Sequence, residues 1–374
     1  MRHLRSLANV CCAMLIVGAT APVGFADPVD LAAELDAAIA AKVREMGIPG
    51  AVVSLSIPGR VEYTSAVGVG DTATGAPMDV AGHTRIGSLT KTFTGTAVLQ
   101  LVDQGRIRLT DPISMYVEGV PSGERITLDM LGRMRSGLFD YSQDDAFQQR
   151  YYAEVPTGPD AFPATPRELV DVAFRHPLDF PPGSDYEYSN TNAVLLGLVV
   201  ERVSGQSLAD YFEQHIFTPL GLAQTIYPPN GLMPDPFAHG YTSPDDDVVD
   251  STYWNPSWAD AAGRIVSDLH DMKIWASALG RGTLLRPETQ AQRIPGQDGD
   301  PGLTYGFAIF DSHGWIGHNG DIPGYSTVSV YLPEQDASLV VFANSDVPEN
   351  INTTGRIATA VTSIVTPDHV YKLD

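Results

Sequence analysis

The stretch Ile86-Gly87-Ser88-Leu89-Thr90-Lys91-Thr92-Phe93 governs how the rest of the chain is read. Behind it, Phe93, Ala97, Val98 and Leu101 recur at helical spacing, so Thr92 to Gln104 is expected to be a helix with a buried face. Ser88 and Lys91 stand three apart where loop turns into helix, and side chains at i and i+3 are neighbours there. A helix N-terminus beneath the hydroxyl favours an oxygen that develops negative charge. A serine hydroxyl is a weak nucleophile until a base takes its proton. A lysine in apolar surroundings can lose its own proton near neutral pH and act as that base. Alone, Ser-x-x-Lys suits an N-cap serine and a solvated lysine better, so other segments must decide.

The chain has 374 residues, room for two lobes, and 43% of them are hydrophobic, enough for a sizeable core. Residues 1–26 read as a secretory signal. Arg2, His3 and Arg5 give a basic start, Leu7 to Val23 an apolar run, and Gly24-Phe25-Ala26 small residues for cleavage before Asp27. The run is short and broken by Gly18 and Pro22, which disfavours a membrane anchor, and no second segment could span a bilayer. Both cysteines, Cys11 and Cys12, lie inside this segment, so an exported product would have neither disulfides nor thiol chemistry. The segment holds two arginines and no acid, so its removal takes the formal charge from −22 to −24. Such a surface argues against nucleic acid or anionic membrane as a partner.

Taken in order, Pro28 to Arg44 is a predicted helix, and Ala51–Ile57 and Val61–Val67 are strands joined by a hairpin at Pro58-Gly59-Arg60. From Asp111-Pro112 the texture changes to short helices with long connections. These cover Thr127–Met134, a helix opened by the capping box Thr165-Pro166-Arg167-Glu168, Thr191–Val203, Ser207–Phe217 and Ser267–Leu279. Strands return at Tyr305–Phe310, Gly314–His318, Ser326–Leu332 and Ser338–Ala343, before a helix from about Ile351 to Val365. The expected fold class is α+β. Residues 27–108 and 263–374 form a lobe with one antiparallel sheet flanked by the terminal helices, and residues 109–262 form a helix-rich lobe beside it. A site between two lobes is where ligands usually bind.

Two further clusters carry chemistry. Tyr188-Ser189-Asn190 follows Pro181-Pro182-Gly183 and precedes an apolar helix. A phenol there can pass a proton between Ser88 and a leaving group, and a carboxamide can hold a substrate carbonyl. His318-Asn319-Gly320 is expected to end a strand, where glycine admits a second backbone such as an extended substrate. The N–H of Asp321 could then pair with that of Ser88 as an oxyanion hole. The nine histidines show no metal-ligand spacing, so neither metal nor cofactor is expected, and no Gly-x-Ser-x-Gly elbow competes with Ser88.

Ser-x-x-Lys, Tyr-x-Asn and His-x-Gly, in this order, resemble the signature of the penicillin-binding protein and class C β-lactamase superfamily of serine hydrolases. The histidine form of the third motif looks most like the soluble secreted D-alanyl-D-alanine carboxypeptidases and related esterases. The likeness extends through Leu101-Val102-Asp103-Gln104-Gly105, Arg135-Ser136-Gly137-Leu138, Phe217-Thr218-Pro219-Leu220-Gly221-Leu222 and Ser257-Trp258. It implies the DD-peptidase/β-lactamase-like fold. It also implies an acyl-enzyme on Ser88, a proton relay through Lys91 and Tyr188, and Asn190 holding an acyl side-chain amide. Phe147 and Trp258 match aromatic positions that line the pocket.

The match breaks where those carboxypeptidases meet the substrate's terminal carboxylate. Phe310 stands at the expected arginine, Asn319 lies between histidine and glycine, and Asp321 follows. Either Arg264 or His318 could restore positive charge. The leading expectation is a D-alanyl-D-alanine carboxypeptidase-like hydrolase acting on peptidoglycan peptides. An esterase or D-amino-acid amidase or aminopeptidase on the same machinery comes second and a β-lactamase third. A penicillin-binding sensor that acylates with β-lactams and stays acylated is the non-enzymatic alternative.

Overall fold

The computed structural model describes residues 28–152, 158–244, 247–294, 303–347 and 352–373. The proposed signal at residues 1–26 lies outside them, as does most of the acidic loop at 245–247. Helix α1 (Pro28–Met46) ends where Gly47 turns to a left-handed φ of 67°. β1 (Gly50–Ile57) and β2 (Val61–Asp71) form the expected hairpin, with Gly59 at φ 72° in the turn and Ile57 opposite Val61. β3 (Ala76–Pro77) completes that edge. The C-terminal part adds β4 (Leu303–Tyr305), β5 (Phe310–Ser312), β6 (Trp315–Ile322), β7 (Tyr325–Leu332) and β8 (Ala337–Ala343). Among the described residues the sheet has eight antiparallel strands in the order β3-β2-β1-β8-β7-β6-β5-β4. Its two sequence-distant halves are joined by β1 on β8, from Ala51 opposite Ala343 to Ser56 opposite Ser338.

Nearly every residue of β1 and β8 is buried because both of their faces are covered. On one face, Leu35, Ile39 and Val43 of α1, with Ile357 and Val361 of the C-terminal helix Thr353–Val365, pack on Val53, Leu55, Leu339 and Val341. On the other face, Val52, Val340 and Phe342 share one core with the helical part of the chain. That part contains α2 (Thr90–Asp103), α3 (Leu128–Gly132), α4 (Asp145–Tyr152), α5 (Pro166–Ala173), α6 (Asn190–Ser204), α7 (Leu208–Phe212), α8 (Asp260–Gly263), α9 (Leu269–Arg281) and α10 (Pro287–Arg293). The Thr165 capping box is present in full.

Several boundaries differ from expectation. The predicted strand Tyr305–Phe310 is two strands with a turn between them, where Gly306 N–H bonds Ile309 O at 2.8 Å and Ala308 takes φ 55°. The turn is drawn into the helical core. Phe307 N–H and Ala308 N–H bond Arg293 O and Gly132 O, and a Cβ on Gly132 would lie 2.1 Å from the Phe307 ring. β6 does not stop at His318 but runs to Ile322, because Gly320 and Asp321 pair with Thr327 and Ser326 of β7. α9 passes through Gly280, whose missing side chain makes room for the Tyr331 ring, and ends at Gly282 with φ 68°. The predicted helix Ser207–Phe217 is regular only to Phe212 and continues as a wider π-type turn. Short helices α4, α8 and α10 lack a periodic pattern long enough to be read in advance.

Candidate active site

Thr90, Thr92, Thr94 and Thr96 bind α2 to its surroundings. Thr90 Oγ1 accepts from Ile265 N–H at 3.1 Å, and Thr94 Oγ1 donates to Ala261 O at 2.7 Å. Thr92 Oγ1 accepts from Trp275 Nε1 at 2.8 Å, while Arg293 donates to Thr92 O and Thr96 Oγ1, each at 2.9 Å. The start of this helix is therefore held from several sides. Ser88 sits just ahead of it in a 3₁₀ turn, Gly87–Leu89, that runs straight into α2. It is half-buried between the buried Gly87 and Leu89.

Lys91 is buried, with 1% of its surface exposed. Its Nζ lies 2.9 Å from Ser88 Oγ, 2.7 Å from Asn190 Oδ1 and 3.0 Å from Ala262 O. The last two are carbonyl oxygens and can only accept. A neutral amine has two hydrogens for those two oxygens, which leaves its lone pair facing the Ser88 hydroxyl. Burial lowers the Lys91 ammonium to about 7, with the carboxylate of Asp140 pulling the other way. The amine is therefore available as a base at neutral pH.

The Tyr188 ring centroid lies 4.7 Å from Lys91 Nζ, and the Ser88 hydroxyl is the group that stabilises its phenolate. Burial holds this phenol well above its ordinary range despite the bond from Ser88, so it stays protonated and can donate. His318 is buried and packs near Tyr188 and Tyr305. Its Nδ1 is 2.5 Å from Asn319 O, an acceptor, so Nδ1 carries the hydrogen, and Nε2 accepts from Tyr305 Oη at 3.0 Å. Burial, then the Lys91 cation, lowers His318 to about 3.

The third motif meets Ser88 through backbone. A Cβ on Gly320 would stand 2.1 Å from Ile86 O and 2.8 Å from Ser88 N, and one on Gly87 would be 2.9 Å from Asp321 N. Only glycine permits this approach, which packs the Gly320–Asp321 backbone against the Gly87–Ser88 turn. Thr327 Oγ1 lies 2.9 Å from Ile86 O and 3.1 Å from Gly320 O, within reach of both segments. β5 pairs with β6 only from Trp315 to Gly317, so the β6 edge beyond it faces the nucleophile turn. Such an arrangement can open a carbonyl, with a hydroxyl to attack, an amine to take the proton, a phenol to give one and two N–H groups for the oxyanion.

Some expected residues do other work here. Asn190 is the first residue of α6, with Ser189 at the N-cap position. Its amide is engaged within the protein, Oδ1 on Lys91 and Nδ2 on Asp140 Oδ2 and Ser142 Oγ, both at 3.1 Å. Neither proposed source of positive charge supplies it. His318 is neutral, and Arg264 donates to Pro228 O and Pro229 O at 2.5 and 2.6 Å and lies over the Tyr227 ring. Phe310 is buried against His318 and Tyr371. Asp321 is exposed as a residue, but desolvation, partly offset by a bond from Ser326, holds its carboxyl above the ordinary range, and Asn319 Nδ2 lies 3.4 Å from its Oδ2. Phe147 and Trp258 line a cavity of about 320 Å³ with Phe162, Leu169 and Val172. It is linked to the lysine network through Tyr141, which touches the Phe147 ring and donates to Trp258 O at 2.7 Å.

Asp140, Ser142, Ala262 and Tyr305 were not singled out in the sequence. Asp140-Tyr141-Ser142 does carry a local signal, an aspartate able to cap the turn after it, and Asp140 Oδ1 accepts from Ser142 N–H at 3.0 Å. Among the described residues no group of three or more His, Cys, Asp or Glu side chains is placed to hold a metal ion. No helix among them is long and apolar enough to cross a membrane.

Known proteins resemble this chain along most of its length. The D-stereospecific amidohydrolase of a Streptomyces species is 30% identical, with a TM-score of 0.79 over 90% of this chain and 99% of its own. D-amino acid amidase from Ochrobactrum anthropi SV3, complexed with L-phenylalanine amide, is 27% identical with a TM-score of 0.78 over the same shares. Protein flp of Staphylococcus aureus is 25% identical over 83% of this chain, which spans 62% of that protein's length. The model of the Beta-lactamase family matches residues 35–362. With the three motifs gathered at one serine, the chain belongs to the Beta-lactamase family, the superfamily of serine hydrolases that includes penicillin-binding proteins.

Proposed function

We propose that this protein hydrolyses amides and esters of D-amino acids bearing a free α-ammonium group, through an acyl-enzyme on Ser88. The observation that carries this reading is the charge around the site. The position resembling a carboxylate-binding arginine is a buried phenylalanine, His318 is neutral, Arg264 is engaged elsewhere, and an aspartate stands beside the oxyanion N–H. Among these residues none offers a substrate's terminal carboxylate a free cation, whereas the Asp321 carboxylate, when ionised, would favour an ammonium group. The likeness to a D-stereospecific amidohydrolase and a D-amino acid amidase supports the same substrate class.

In the reaction, neutral Lys91 takes the Ser88 proton as Oγ attacks the carbonyl carbon. The N–H groups of Ser88 and Asp321 hold the oxyanion, and Tyr188 donates to the departing amine or alkoxide, drawing its replacement proton from Lys91. Water then enters, gives a proton through Tyr188 to Lys91 and bonds to the acyl carbon, and Lys91 returns that proton to Ser88 Oγ as the acid leaves. Asn190 keeps Lys91 oriented throughout. A D-alanyl-D-alanine carboxypeptidase is the second reading, favoured by the open edge of β6, where an extended peptide could lie.

A substrate panel separates the two. D-phenylalanine amide and methyl ester, their L-enantiomers, an N-acylated D-Ala-D-Ala peptide and a chromogenic cephalosporin are each assayed with wild type and Ser88→Ala. Turnover of the D-amide and D-ester in wild type alone is expected. Preference for the peptide with its free carboxylate would replace this reading with the second. Stable acylation by the cephalosporin with no turnover of any substrate would make the protein a sensor.

A further inference from the structure

We propose that Asp140 is a positioning residue whose carboxylate sets the direction of a hydrogen-bond chain running through Ser142 and Asn190 to Lys91, and so aims the amine's lone pair at Ser88. The inference rests on the acyl-enzyme reading above and adds a residue to it. Asp140 is 8% exposed and opens the turn Tyr141–Gln143. Its Oδ1 accepts from Ser142 N–H at 3.0 Å and Ser142 Oγ at 2.9 Å, and its Oδ2 accepts from Asn190 N–H and Nδ2, each at 3.1 Å. Ser142 Oγ, its hydrogen given to Asp140, accepts from Asn190 Nδ2 at 3.1 Å.

A carboxylate can only accept, so every link in the chain has one polarity. Both hydrogens of the Asn190 amide are drawn toward Asp140 and Ser142, and its oxygen must point at Lys91. A flipped amide would set oxygen against the oxygens of Asp140 and Ser142, and N–H against the N–H groups of Lys91. With Oδ1 fixed there and Ala262 O opposite, the two amine hydrogens are spoken for. The lone pair is left with Ser88.

The other groups around Lys91 do not do this. His318 from β6 is neutral, and Tyr188 ahead of α6 stays protonated. Tyr186 and Asp321 act on Tyr188, as Asp140 itself does, and Asp260 of α8 lies by Tyr141 and Tyr227. Asp140 is the carboxylate whose field reaches Lys91.

The test follows the pH dependence of Ser88 phosphonylation by a fluorophosphonate, which needs no knowledge of the substrate. Ser88 Oγ bonds to phosphorus, fluoride leaves, and the hydroxyl proton goes to Lys91. In Asp140→Asn the negative charge is gone and the amide can donate back into the chain. The labelling midpoint is expected to move down by about one pH unit, with the plateau rate falling about tenfold or more. Asp140→Glu should recover part of both. In Ser142→Ala, which keeps the charge and breaks one link, the plateau should fall while the midpoint stays. Thermal melting of each variant separates loss of fold from loss of aim. Asp140→Asn with wild-type midpoint and plateau would overturn the proposal, as would an unchanged Ser142→Ala plateau if Asp140→Asn does not fold. A wild-type protein unlabelled at Ser88 at every pH would instead overturn the acyl-enzyme reading beneath it.

Discussion

At the residue scale, the account turns on one buried amine and the hydroxyl beside it. Replacing Ser88 by alanine should lower turnover by about ten-thousand-fold or more, with melting unchanged, because the side chain is small and only half-buried. The pH dependence follows from Lys91. Its protonated form has no lone pair, so kcat/KM for an uncharged ester should rise with pH through a midpoint near 7. No loss from Tyr188 should appear below pH 10, since burial holds that phenol above its ordinary range. A rate that falls as pH rises from 6 to 8 would contradict the assignment. The Ser88–Lys91 pair was legible because its spacing is local, and Tyr188 because Tyr-x-Asn is read with that pair as one signature; their catalytic roles remain part of the proposal. Asp140 and Ala262 were not legible. Asp140 acts through Asn190, 50 residues along the chain, and Ala262 acts through a backbone oxygen that any residue would offer.

At the scale of elements, the site is a turn held against a strand. Gly320→Ala puts a methyl group where Ile86 O and Ser88 N already stand. It should separate β6 from the nucleophile turn, costing about 1–3 kcal/mol of stability and lowering kcat roughly a hundredfold as one oxyanion donor is displaced. Chemical denaturation and steady-state kinetics check the two effects separately. Behind the turn, Trp275 of α9 stacks on Phe93 at 3.9 Å and bonds Thr92, at 1% exposure. Trp275→Ala should therefore cost about 3–5 kcal/mol. Caps and hairpins were legible where one short segment fixes them, as at Thr165 and Gly59. The break in Tyr305–Phe310 was not, because the cause is Gly132 and Arg293 offering carbonyls from elsewhere in the chain. Gly280 misled for the same reason. A glycine that reads as a helix stop is there to admit Tyr331 from the sheet.

For the whole molecule, the antiparallel sheet and the helices flanking it were legible in the sequence, since each rests on periodicity. The join of β1 to β8 was not, because it depends on pairing residues nearly three hundred positions apart. The same burial that prepares the site taxes the fold in acid. His318 titrates near 3 when folded and near its ordinary 6.5 when unfolded, so the unfolded chain binds its proton first. Stability contributed by the neutral ring is present above 6.5 and is lost as pH falls toward 3, on the order of a few kcal/mol. Denaturation curves of wild type and His318→Gln should converge over that window, and parallel curves would count against it. The most direct measurement is the mass of the intact protein quenched during turnover of D-phenylalanine methyl ester, followed by peptide mapping. A phenylalanyl adduct on the peptide holding Ser88, absent from Ser88→Ala, is predicted. Full turnover with no adduct, or with the adduct on another residue, would contradict it.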